Sequence, residues 1–447
     1  MNTASLSLEQ TPPLSVPLRF FLTAPLFGLL ASLLLLYEGP DLLSNRWHPA
    51  TLAFTHLLTL GFVTMVMFGA MLQLLPVLVG CSVPRPILVS TILHILLSLG
   101  TLSLASGFVT GKAWLMNVAL ILLGLSFIGF ITVINYALIR VKWRNSIMTA
   151  MHFALSALAV NAVLGIVLGG ILFGGLGFIL PLPAVLIHLH FTWGLIGWIG
   201  LLVMGIAYQV VPMFQITPQY PPLLTRWLVP LIFILLLIWT VLDILAHLNK
   251  IPFIIVQLFT GLIGLGLSVF ALATLNIQAH RLRKLPDITL NYWRVGMIGL
   301  LLSIIIWAAG LLWSDLAMKP FYPVLLGIFF IAGFVLPVIQ GMLYKIIPFL
   351  IWLHLQNQQL NVLKVISMVK IPNMKQIIPD RLARRQFWVY LLALVLTIVA
   401  ILSSATSFTY ILAGIVLACS FLFLGYNLYR ALWLYQSVSQ QIANSKS

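Results

Sequence analysis

The stretch GFVTMVMFGAMLQLLP, residues 61–76, decides the reading of the whole chain, because its landmarks return twice more at one spacing. It carries Gly61-Phe62, then Gly69, Gln73 and Pro76. Residues 197–212, GWIGLLVMGIAYQVVP, carry Gly197-Trp198, Gly205, Gln209 and Pro212. Residues 333–348, GFVLPVIQGMLYKIIP, carry Gly333-Phe334, Gly341, Lys345 and Pro348. The step from Gly69 to Gly205 is 136 residues, and so is the step from Gly205 to Gly341. Glycine and proline recur in any membrane helix, to pack it or to kink it, but a doubled offset shared by several positions points to an internal repeat.

Around these stretches the chain is almost continuously apolar. Of its 447 residues 62% are hydrophobic and 7% charged, where a soluble domain carries about 25% charged residues. A bilayer core requires about 20 apolar residues per helix, and twelve such spans follow one another, near 18–38, 50–79, 86–109, 113–139, 147–174, 183–212, 225–247, 251–279, 293–313, 322–353, 386–404 and 408–434. The expectation is an all-α polytopic membrane protein of about twelve transmembrane helices. Units of roughly 18–146, 147–285 and 286–435 hold four helices each. An even number of helices makes successive units enter the membrane in the same direction, so three four-helix arcs related by rotation about the membrane normal are expected.

The basic residues supply an orientation. Links after odd-numbered spans hold only Arg46, Lys112, Lys250 and Lys319, whereas links after even-numbered spans hold most of the other Lys and Arg. The positive-inside rule then predicts cytoplasmic termini and even-numbered links. The net charge of +16 reads as this signal plus affinity for anionic lipid, which argues against a nucleic-acid partner. The first 16 residues lack a basic n-region and a small-residue cleavage site, so the first span is expected to be retained. The link 355–385 alternates apolar Leu363, Ile366, Val369, Ile371 and Ile377 with Lys364, Lys370, Lys375 and Arg381, the pattern of a segment lying on anionic lipid. Two cysteines, Cys81 and Cys419, offer neither a disulfide framework nor a zinc site. All seven acids lie in links, tails or span ends, which argues against a proton pump.

Histidines are then the main source of chemistry. A neutral imidazole is tolerated in a bilayer and is the commonest nitrogen ligand for iron and copper. His188 and His190, two residues apart, point about 200° apart on a helix and cannot bind one metal together. Gly194, Gly197 and Gly205 follow His190 within about 60° of its face. This glycine face could lie against a flat macrocycle, or it could be a small-residue stripe for helix packing with His190 hydrogen-bonded to a neighbour. His56 precedes the first repeat stretch. His48, His247 and His280 lie at span ends, where solvation is the ordinary expectation, and His94, His152 and His354 lie toward the basic side. Lys345 replaces Gln73 and Gln209; it could reach the cytoplasmic surface or meet a substrate anion.

In helix count, orientation and three-unit order the chain resembles the catalytic subunit of the heme-copper oxidases and nitric oxide reductases. The motif His56-Leu-Leu-Thr-Leu-Gly-Phe looks like that family's low-spin heme-ligand helix, and His188-Leu-His190 lies where the family places a copper ligand. The tenth span lacks the family's two heme histidines and the seventh lacks its adjacent histidine pair. The NnrS-type membrane proteins of the nitric oxide response are similar in helix number and heme-linked context. The resemblance implies a bacterial inner-membrane protein binding heme through His56 and His190, with His188 nearby and an incomplete ligand set for copper. It implies electron transfer or O2/NO redox chemistry with a partner protein or quinol, and leaves open whether the chain is an oxidoreductase. The residues alone equally allow a transporter or channel for a small uncharged or anionic solute, or an assembly subunit.

Overall fold

The computed structural model describes residues 11–80, 83–140, 145–173, 183–282, 287–360, 369–402 and 407–444. These are helical with short links, and no strand occurs among them. Twelve helices are long and apolar enough to span a bilayer: α1 Ser15–Glu38, α2 Pro49–Val77, α3 Pro86–Thr110, α4 Ala113–Ile139, α5 Ser146–Phe173, α6 Ala184–Gln215, α7 Pro222–His247, α8 Phe253–Ala279, α9 Ile288–Leu312, α10 Phe321–Leu360, α11 Asp380–Leu402 and α12 Phe408–Asn444. The all-α membrane fold expected from composition is therefore the fold of the chain.

The three repeat stretches lie on the three most enclosed helices. In the most apolar window, 83% of α2 and 72% of both α6 and α10 is buried in protein, against 56% or less for every other span. The remaining nine helices surround them, each touching the next in the order α1, α3, α4, α5, α7, α8, α9, α11, α12 and back to α1. Neighbours recur by unit: the first helix of each packs on the second, the third on the fourth, and the fourth on the first helix of the next unit.

Glycine explains the first of these pairings. A Cβ at Gly69 would meet Phe20, Phe21 and Pro17 of α1; at Gly205, Ala150 of α5; at Gly341, Tyr292 of α9. Without side chains there, the two backbones approach closely and dispersion contacts hold them where lipid offers no hydrophobic drive.

The 136-residue spacing is also present in backbone geometry. Each inner helix widens into a π-helical segment: Leu57–Thr64, Trp193–Gly200 and Phe329–Val335. Their first residues, 57, 193 and 329, stand at the repeat offset. π-Helical insertions are rare and frequent at functional sites, and they shift the helix face that follows them.

Helices outrun the apolar spans at the basic face. α10 continues to Leu360 and α12 to Asn444, because their polar ends bond to one another: Gln358 donates to the Tyr435 hydroxyl at 3.1 Å and Ser439 donates to Gln358 at 3.0 Å. Both ends of the 355–385 link are thus helical, since α11 begins at Asp380. Lys364, Leu363 and Ile366 lie outside the described residues. Ile377 is buried in protein, and Val369 and Ile371 pack against the core. At the same face Lys345 pairs with Asp287 at 2.6 Å.

Candidate functional site

Two groups of histidines occur on the two sides of α6. His190 turns toward α2 and α5, and His188 turns toward α7, as expected for side chains two residues apart on a helix.

On the first side, His56 of α2 and His190 of α6 face one another with ring centres 6.2 Å apart and planes inclined by 20°. Each is held through the same nitrogen. His56 Nδ1 donates to the Leu52 carbonyl at 2.7 Å, and His190 Nδ1 donates to the Asn161 carbonyl at 3.1 Å. A carbonyl can only accept, so the proton of each neutral ring sits on Nδ1 and the lone pair on Nε2. This arrangement is the one that orients histidines for metal ligation. The two rings lie near-parallel, as stacked imidazoles do. The surroundings are apolar or neutral: Phe108 of α3 lies 5.5 Å from the His56 ring, and Gly165 of α5 lies against His190. Both histidines are largely buried. Beside them Asn161 Oδ1 is buried without a hydrogen-bond partner.

The glycines after His190 do share its side of the helix, but α5 fills the space against them. A Cβ at Gly194 would stand 3.0 Å from Asn161 Oδ1, one at Gly197 2.8 Å from Ala157, and one at Gly205 would collide with Ala150. With Gly165 against His190, four successive contacts run along α5. The face that the sequence offers to a macrocycle is a helix-packing stripe, so Gly194, Gly197 and Gly205 act by setting the α5–α6 approach.

On the second side His188 stands with two residues of α7. Its Nδ1 lies 3.8 Å from Asp243 Oδ1, and His247 Nδ1 lies 3.6 Å from the same oxygen. The His188 and His247 rings are 5.2 Å apart. Asp243 is 2% exposed, and its Oδ2 has no hydrogen-bond partner. The expectation that His247 is a solvated helix-end residue is corrected here: the ring packs edge-on to Phe253 at 4.9 Å and its Nδ1 donates to the Asp243 carbonyl at 2.8 Å. The readable signal for this cluster was the spacing Asp243-x-x-x-His247, which places both side chains on one helix face. That this face meets His188 depends on how α7 packs.

The histidines do not recur with the repeat. Phe54, His190 and Leu326 occupy one repeat position, and His56, Thr192 and Ile328 another. The first two units supply the ring pair, and the third supplies none. No protein-family model matches the chain, and no curated protein matches it.

Proposed function

We propose that the chain is a heme-binding membrane protein whose work is electron transfer, with His56 and His190 as the residues that would hold the heme. The observation that carries this reading is the opposed ring pair: 6.2 Å between centres, near-parallel planes, and both Nδ1 atoms engaged by backbone carbonyls so that both Nε2 atoms are free. An uncharged, acid-free setting suits a neutral imidazole pair and disfavours a hydrated ion. When bound, heme would supply one-electron chemistry. With both imidazoles engaged in holding the group, electron transfer would be favoured over O2 or NO turnover.

The chain's own residues contribute position and electrostatics. Leu52 and Asn161 carbonyls set each ring's tautomer and raise its basicity. Phe108 excludes water on one side. The redox partners are a protein or a quinol at the membrane surface. The even-numbered, basic links face the cytoplasm of a bacterial inner membrane. The ring of nine helices around three is what three four-helix arcs related by rotation would give.

The test is the visible absorption spectrum of the purified protein, oxidised and reduced. A Soret band with sharp α and β bands in the reduced form, unchanged on adding carbon monoxide, is expected. A shift with carbon monoxide would restore gas chemistry, and a colourless protein would end the heme reading.

A further inference from the structure

The His188–Asp243–His247 cluster presents a problem of charge. Asp243 is one of only seven acids in the chain, and it lies within the apolar span of α7 with 2% of its surface exposed. Removing a carboxylate from water costs several kcal/mol unless a counter-charge and hydrogen bonds replace the hydration. Neither is supplied. No Lys or Arg pairs with Asp243 among the described residues, its Oδ2 has no partner, and the two imidazoles stand beyond hydrogen-bond distance of Oδ1. The segment 174–182, which precedes α6, has no charged residue in its sequence.

We infer that His188, Asp243 and His247 form a binding site for a zinc-type divalent cation, separate from the His56–His190 pair. One ligand atom from each of the three residues lies within 4.8 Å of the others. Bonds of about 2.0–2.2 Å to nitrogen and oxygen in tetrahedral geometry bring ligand atoms about 3.4 Å apart, a closure of roughly 1–1.5 Å that side-chain rotation can supply. Nδ1 is the nitrogen that each ring brings toward Asp243 Oδ1, so binding through His247 Nδ1 exchanges its hydrogen bond to the Asp243 carbonyl for the cation. Two imidazoles and one carboxylate suit a borderline cation and are poor for calcium or magnesium, which prefer all-oxygen shells. Three protein ligands leave a fourth position for water or another donor. The cation supplies the positive charge that Asp243 otherwise lacks.

The experiment uses the full-length protein in lipid nanodiscs, stripped with chelator and titrated with Zn2+ and, separately, with Co2+. One Zn2+ per chain is expected, with a visible cobalt band characteristic of mixed nitrogen and oxygen ligation. Asp243→Asn and His247→Ala should each weaken Zn2+ binding at least tenfold, while His56→Ala should leave it within twofold. Absence of stoichiometric Zn2+ in the wild type, or unchanged affinity in both α7 variants, would overturn the site. The wild-type stoichiometry and cobalt spectrum require no substitution, so a variant that fails to fold does not remove the test. Neither readout depends on heme, so the result stands whether or not the heme reading does.

Discussion

His190 and His188 are the same residue type on the same helix, two positions apart, and they meet opposite environments. His190 faces another imidazole with carbonyls behind both rings and no acid nearby. His188 faces a buried carboxylate and a second imidazole. A neutral ring pair and a ring–carboxylate–ring triad suit different guests: the first would suit a large, mostly apolar group, as proposed above, and the second would suit a small dication. What a membrane histidine does is decided less by its own chemistry than by the charge of the group it is packed against.

The largest effects expected are a pair of crossed losses. His56→Ala and His190→Ala should each remove most bound heme or change its spin state while keeping stoichiometric Zn2+. His188→Ala should do the reverse, with an unaltered heme spectrum. An alanine methyl cannot replace an iron–imidazole bond, so loss of an axial ligand must register in the absorption bands. If His188→Ala changed the spectrum as strongly as His190→Ala, the two sides of α6 would be one site.

The glycine stripe tests the same division by stability. Gly205→Leu places a side chain where Ala150 already lies, and overpacking of this kind costs about 1–3 kcal/mol or more. Gly327, with nothing within 4 Å of an added Cβ, should tolerate the same change with little loss. Thermal unfolding of both variants, with and without heme, checks this. A Gly205→Leu defect seen only in the heme-loaded protein would return the stripe to a cofactor role.

A smaller effect is expected at Gly165. Its added Cβ would stand 3.0 Å from His190 Cε1, so Gly165→Ala must tilt the ring by a few tenths of an ångström without removing it. Heme should remain bound with shifted bands, and Zn2+ affinity should be unchanged. An unshifted spectrum would mean that the α5 side of the ring does not set ligand orientation.

These cases show what was legible in the sequence. The spans follow from apolar length, a one-dimensional property, and the 136-residue spacing returns in the first residues of the three π-helical segments. The pairing of His56 with His190 is different: helical periodicity gives each residue a face but not the helix opposite, and α2 and α6 meet only in the assembled bundle. For the same reason the stripe of Gly194, Gly197 and Gly205 could be read as a small-residue face, while its occupant, α5, could not. Asp243 and His247 carried a readable four-residue spacing, yet a span-end position suggested solvent, because burial there depends on how α7 packs beside α6. The π-helical segments have no strong local signal, since the same Gly- and Leu-rich residues are compatible with ordinary α-helix.

The smallest effect concerns the third unit, where Lys345 stands in place of Gln73 and Gln209. Lys345→Gln restores the residue of the other two units and removes the 2.6 Å ion pair with Asp287. Burial alone would raise the Asp287 carboxyl, but Lys345 and the Thr289 hydrogen bonds outweigh it and hold the group below its ordinary value. A carboxyl depressed in the folded state contributes stability that is present above its unfolded pKa, near 3.9, and is lost as pH falls through the folded value. The partners are 25% and 19% exposed, so solvent screening limits the pair to about 1 kcal/mol. At neutral pH the wild type should therefore be more stable than Lys345→Gln by about that amount. The difference should shrink as pH falls below about 4 and vanish once Asp287 is protonated in the folded protein. Thermal unfolding of both proteins across this range, at low and high salt, measures it. A difference that persists at low pH would show that Lys345 acts through packing of its aliphatic stem rather than through its charge.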